Sequence, residues 1–307
     1  KTLSTAFGNP LYHWSQAELK TFFHCEKEIN EENAEAIWEE CNAYIRENNL
    51  TPQKLIESSN VKYLFTTNEV FDDLSTFEKI AKKGYKFKVY PAFRADKIMN
   101  IEAEKYNEFV GALEEKTHKI ETLNELETAL ETLLTEFEKV GARASDIALE
   151  KVYEIAEKSD AEKAFKKRRK GEKVTEKEAE KFKGYLTYFH KIATELHVGA
   201  MRNNNSEMLA KLGLDTGYDS ISEENSIKNM SKLFDRLNGE KALPKTIVFN
   251  LNPKMNAEIV TLNGCFQTDE AKGKMQYGAA WWFLDNKDGM EKHLKDLTAT
   301  GHIGTFL

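Results

Sequence analysis

Two hydrophobic rhythms alternate along the chain. Six short runs carry the β pattern: "VKYLFTT" (61–67), "FKVYPAF" (87–93), "GARASDI" (141–147), "ELHVGA" (195–200), "KTIVFNL" (245–251) and "MQYGAAWW" (275–282). Between and after them, "NELETALETLLTEFEKV" (124–140), "ENSIKNMSKLFDRL" (224–237) and "DGMEKHLKDLTA" (288–299) space apolar residues by three and four, the period of an amphipathic helix. Strand and helix in alternation predict parallel pairing with helices outside the sheet. With a seventh strand expected to begin at Ile303, a (β/α)8 TIM-type barrel, incomplete in this chain, is favoured over an open doubly wound sheet. Periodicity alone does not separate the two.

The first 60 residues read differently. "SQAELKTFF", "NEENAEAIWEECNAYIREN" and "TPQKLIESS" form a helical preface with capping residues in front. The expected division is a helical segment over 1–60 and a (β/α) barrel portion over 61–307. A helical insertion at about 150–192 holds the basic run "KAFKKRRKGEKV" (163–174). Acidic residues flank that run on both sides, so it reads as a solvated helix end.

Composition narrows the class. Of 307 residues 40% are hydrophobic and 31% charged, enough for a large core. A net charge of −7 argues against a general nucleic-acid binder. Cys25, Cys41 and Cys265 give neither a disulfide framework nor a zinc pattern, so a reducing, cytoplasmic location is expected. No apolar run approaches the roughly 18 residues of a membrane span, and no signal peptide is visible. The chain starts at Lys1 without a methionine and stops in "HIGTFL", so a fragment is expected. Missing strands would leave open edges and favour association, hence a homo-oligomer.

In a parallel barrel, chemistry sits at the carboxyl ends of the strands. The first run leads into Asn68, Glu69, Asp72 and Asp73, and the second into Arg94, Asp96 and Lys97. The third ends in Ser145 and Asp146. The fourth carries His197 and passes into Arg202 and Asn203 to Asn205. The fifth ends in Asn250 and Asn252, and the sixth in Trp281, Trp282, Asp285, Asn286 and Lys287. Arg94 and Arg202 suit a carboxylate through a bidentate fork, and asparagines suit sugar hydroxyls. Each also has a plain explanation: a histidine in an apolar strand is more often a core residue, and at most one of two adjacent tryptophans faces a pocket. The coincidence across strands points to a polyhydroxylated acid.

At these residues the chain resembles a known family. "FGNPLYHWSQAEL" (7–19), "YPAFRADKIMNI" (90–101), "LHVGAMRNNN" (196–205), "LGLDTGYDSI" (212–221), "LPKTIVFNLNP" (243–253) and "GKMQYGAAWWFLDNKDGME" (273–291) are similar to blocks of uronate (glucuronate) isomerases, in the family's order. The resemblance implies a distorted (β/α)8 barrel of the amidohydrolase superfamily. It also implies interconversion of D-glucuronate with D-fructuronate and of D-galacturonate with D-tagaturonate. By motif, Arg94 would hold the substrate, Trp282 would line the sugar site, and His197 and Arg202 would face the same pocket. The family usually binds one divalent metal, commonly zinc, through a His-x-His and an Asp-Ser-Arg motif. Neither motif is in this chain, so the principal metal ligands are expected outside it. Ile147 stands where the family usually reads histidine in Ser-Asp-His, and Asn68 and Val70 replace a usual aspartate and proline.

The expected reaction moves a hydrogen between C2 and C1 of a small-molecule uronate. Arg94 and His197 would be its catalytic residues, and Arg94, Arg202 and Trp282 would bind substrate. Metal ligands stay unassigned: His13, His24, His118, His190, His293 and His302 make no ligand-spaced pair. Two other readings stay open, a truncated or diverged non-catalytic sugar-acid-binding or scaffold relative, and a metal-dependent hydrolase of the same superfamily.

Overall fold

The computed structural model describes residues 2–189, 194–222 and 226–305, so His190 and the start of the 224–237 pattern lie outside it. The chain forms two compact units: residues 1–64 with 79–89, and residues 65–78 with 90–307.

The first unit is helical. Helices α1 (Pro10–Phe23), α2 (Ala34–Glu47) and α3 (Pro52–Ser58) supply it. Asn9 and Thr51 start α1 and α3 by accepting hydrogen bonds from Leu11 and Lys54 backbone N–H groups, and in both the next residue is proline. Proline at the first helical position surrenders only an N–H that has no partner there.

The second unit holds most of the parallel sheet. Strands β1 (Tyr63–Glu69), β2 (Lys88–Arg94), β3 (Ser145–Leu149), β4 (Thr194–Val198), β7 (Thr246–Asn250) and β8 (Met275–Tyr277) are neighbours in that order, and β1 and β2 begin in the first unit. A two-stranded antiparallel ribbon, β5 (Ala200–Met201) with β6 (Ser220–Ile221), branches off just after β4. The connecting helices are α4 (Ser75–Lys82), α5 (Asp96–Met99), α6 (Tyr106–Lys116), α7 (Leu123–Lys139), α8 (Lys158–Arg169), α9 (Glu176–Phe189), α10 (Ser206–Leu212), α11 (Ile227–Gly239), α12 (Asn256–Gly264) and α13 (Lys287–Thr300).

Register decides where the site forms. Arg94 pairs with Asp146, Asp146 with Glu195, Ala148 with His197, and His197 with Phe249, so these side chains share one face of the sheet. The alternate positions Ile147, Leu196, Val198 and Val248 are buried on the opposite face, in one core with Leu126, Leu130 and Phe137 of α7 and Leu233 and Phe234 of α11. Burying each such side chain contributes about 1.5–3 kcal/mol. Helix α7 earns its length from a capping box, Thr122 with Glu125, and a full stripe of buried residues.

Four sequence expectations change. The third strand starts at Ser145 rather than 141: Gly141 turns at φ 103° with the Tyr90 ring where a Cβ would sit, so the chain is still leaving α7 there. The sixth strand stops at Tyr277, because β7 pairs no further than Val248 with Tyr277, and Trp282 begins a 3-10 turn. No seventh strand starts at Ile303, where residues 303–305 form a 3-10 turn. The basic run is only partly solvated. Lys163 and Lys166 pair with acids of their own helix and Lys167 with Glu178 of α9, but Arg168 donates to the carbonyls of Ile101, Ala103 and Glu104. Arg169 pairs with Glu114 at 2.7 Å and donates to the Ile120 carbonyl.

Among the described residues no helix is long and apolar enough to cross a membrane.

Candidate active site

The end of β2 and side chains from within β3 and β4 meet around Asp146. Its Oδ2 lies 3.2 Å from Arg94 Nη1, and its Oδ1 lies 2.9 Å from His197 Nδ1. The first contact is an ion pair. The second has the distance of a hydrogen bond but not the alignment, so both buried atoms lack a hydrogen-bonding partner. Arg94 also donates from Nε to Asp96 Oδ2 at 2.6 Å. Burial opposes the Arg94 charge, but Asp96 and Asp146 outweigh it and hold the guanidinium more firmly protonated than usual. Asp96 in turn is pushed above the usual carboxylate range by burial, against the pull of Arg94.

Glu195 completes the cluster. It projects from β4 two residues before His197, on the same face, and burial with the nearby Asp146 raises its pKa while His197 lowers it. One ligand atom each from Asp146, Glu195 and His197 lies within 4.8 Å of the other two. Two carboxylates and an imidazole, with two buried atoms lacking hydrogen bonds, form a donor set that fits a divalent cation. The sequence expectation, which left ligands inside this chain unassigned, searched for paired histidines and so passed over Glu195. The signal was present in the alternation Glu195–Leu196–His197, two polar residues on one face of a strand.

The imidazole of His197 is boxed by rings. Phe249 lies face to face with it, centroids 4.5 Å apart and planes 3° from parallel, and Trp281 meets it edge-on at 4.8 Å. The tryptophan against His197 is thus Trp281. Trp282 stacks on Phe283 and carries the Arg202 guanidinium 4.7 Å from its ring centroid. Its φ of 48° is rare for a bulky side chain. Arg202 is tied a second time, to the nearly buried Asp219 at 2.8 Å.

Arg94 and Arg202 line one cavity of about 290 Å³, together with Asp96, Ala148, Glu150, Tyr153 and Lys183. Neither His197 nor Trp282 lines it; Trp282 meets its lining residue Arg202, and His197 lies against Asp146, which pairs with Arg94. The asparagines divide. The Asn203 backbone N–H donates to Asp219, the Asn204 side chain donates to the Met201 carbonyl, Asn205 caps α10, and Asn250 is buried on the opposite face of the sheet. The side chains of Asn204, Asn205 and Asn250 are structural.

A parallel sheet with helices packed on one face, a polar cluster on the other and a two-arginine cavity beside it has the architecture of barrel-type α/β enzymes. The family model for glucuronate isomerase matches residues 1–307, and the chain belongs to that family. It is 42% identical to a uronate isomerase of Caldanaerobacter subterraneus subsp. tengcongensis and 39% identical to one of Clostridium perfringens, in each case over 100% of this chain and 68% of the relative. The uronate isomerase structure from Thermotoga maritima superposes with a TM-score of 0.88 at 29% identity, covering 98% of this chain and 66% of that one. A glucuronate isomerase structure from Caulobacter crescentus shares the fold, with a TM-score of 0.86 at 22% identity over 96% of this chain and 62% of that one. The chain thus spans about two thirds of the length of the relatives it matches.

Proposed function

We propose that the protein containing this chain is an aldose–ketose isomerase acting on hexuronates, D-glucuronate and D-galacturonate. The observation that carries the reading is the cavity where Arg94 and Arg202 converge beside the Asp146–Glu195–His197 cluster, in a chain of this family. Arg94 has Nε and Nη1 committed to Asp96 and Asp146, which leaves Nη2 for a carboxylate or hydroxyl of the sugar acid. Arg202, steadied by Asp219 and Trp282, supplies a second fork. Two fixed cations orient an anion and turn its binding energy into alignment of the reacting carbons.

Moving a hydrogen between C2 and C1 requires a group that takes a proton and returns it. His197 is suited to that exchange at the ring nitrogen that does not hold an ion. Asp146 positions both Arg94 and His197. Asp146, Glu195 and His197 would hold a divalent ion, zinc in our reading, which when bound polarises substrate oxygens. The test is turnover of both uronates by the full-length protein, before and after chelation and re-addition of zinc. Turnover lost with chelation and restored by zinc is expected; absence of turnover in the metal-loaded protein would leave a sugar-acid-binding relative.

A further inference from the structure

The cluster has a support on the far side of the sheet that sequence blocks do not reveal. His293, on α13, is 1% exposed, and its ring lies flat on Tyr277 with centroids 3.9 Å apart. Its Nε2 is 2.6 Å from the Gly278 carbonyl and its Nδ1 is 3.1 Å from the Tyr277 hydroxyl. That hydroxyl accepts from Asn250 Nδ2 at 3.0 Å, so its own proton points to His293 Nδ1. The imidazole is therefore neutral with its proton on Nε2, donating to Gly278.

Gly278 directly follows β8. A Cβ there would lie 2.3 Å from the Phe249 ring, so its backbone presses directly on that ring. Phe249 in turn is the face on which His197 stacks, and Trp281, three residues after Gly278, is its edge-on wall. We infer that His293 is a positioning residue for His197: by holding the Gly278 carbonyl it fixes the Phe249 face and the Trp281 edge that orient the imidazole. This deepens the isomerase reading and rests on its assignment of His197 to the site. Burial lowers the His293 pKa, in keeping with a neutral ring.

Histidine-labelled NMR of this chain tests it, with His197 assigned through His197→Gln. The His293 ring should show the Nε2–H tautomer; an Nδ1–H tautomer overturns the inference. The His197 ring protons should be shifted upfield by the Phe249 face. In His293→Leu they should move toward free-imidazole positions, and in His293→Gln, whose amide can still donate to Gly278, they should stay near wild type. Unchanged His197 signals in a folded His293→Leu protein overturn the inference, as does His293→Gln behaving like His293→Leu. Should His293→Leu fail to fold, the comparison of His293→Gln with wild type still decides: an Nε2–H tautomer in wild type and near-wild-type His197 signals in His293→Gln are expected, and an Nδ1–H tautomer overturns the inference. None of these readouts depends on turnover, so they separate this inference from the isomerase reading.

Discussion

Asp146 and His197 face each other across β3 and β4 with Oδ1 and Nδ1 2.9 Å apart, yet the alignment gives neither atom a hydrogen bond. Leaving two buried polar atoms unsatisfied costs about 1–3 kcal/mol each, so folded proteins keep such an arrangement where a ligand repays it.

A cation is the ligand expected there. Isothermal titration of this chain with zinc should show one site, and Asp146→Asn should weaken it by about 10- to 100-fold or more. Glu195→Gln should weaken it similarly. Equal affinity in wild type and both variants would remove the cluster as a metal site.

Arg94 should be sensitive to shape as well as charge. In the full-length protein, Arg94→Ala should lower kcat/KM for either uronate by about 100-fold or more, which is about 2.7 kcal/mol of transition-state binding. Arg94→Lys should recover little, because one ammonium cannot hold Asp96, Asp146 and a substrate together. Steady-state kinetics on the three proteins decide it.

Arg168 is a stability residue. Its guanidinium binds the carbonyls of Ile101, Ala103 and Glu104, and Arg168→Ala should cost about 2–3 kcal/mol in urea unfolding. Lys163→Ala, whose ammonium is exposed and pairs only with Asp160, should cost less than about 0.5 kcal/mol. Similar losses for the two would show that the arginine contacts contribute little.

The pH dependence of folding follows from His293. Its folded pKa lies below the unfolded imidazole value of about 6.5, so its contribution is complete above that pH. As pH falls from there through the folded value, the unfolded chain binds a proton that the native ring resists, and stability declines. Asp296, held ionised by Lys292 and Asn256 against the effect of burial, opposes this loss without cancelling it. Melting curves from pH 8 to 5 should therefore fall less steeply for His293→Gln than for wild type; parallel curves would refute the assignment.

Much of this was legible in the chain. The run "ELHVGAMRNNN" announced a strand discharging into polar residues, and the alternation within it puts Glu195 and His197 on one face. Register between strands was not legible, and register is what sets Asp146 opposite Glu195 and His197 opposite Phe249. The placement of the two tryptophans was not legible because β8 stops at Tyr277, just before a glycine pressed against a ring, and a strand's alternation no longer applies beyond it. "HIGTFL" has strand-like composition, but residues 303–305 coil into a 3-10 turn. Arg168 and Arg169 read as solvated from charge alone, since only tertiary contact brings open carbonyls to them.

The small ribbon of β5 and β6 has a consequence of its own. Ala200 pairs with Ile221 and closes the base of the excursion that carries Arg202, Asp219 and α10. Whatever lies beyond that clasp can lengthen, shrink or be exchanged as a cassette while the strands beneath it keep their registration. Changes there can thus reset the surroundings of Arg202 without reopening the question of how the sheet folds.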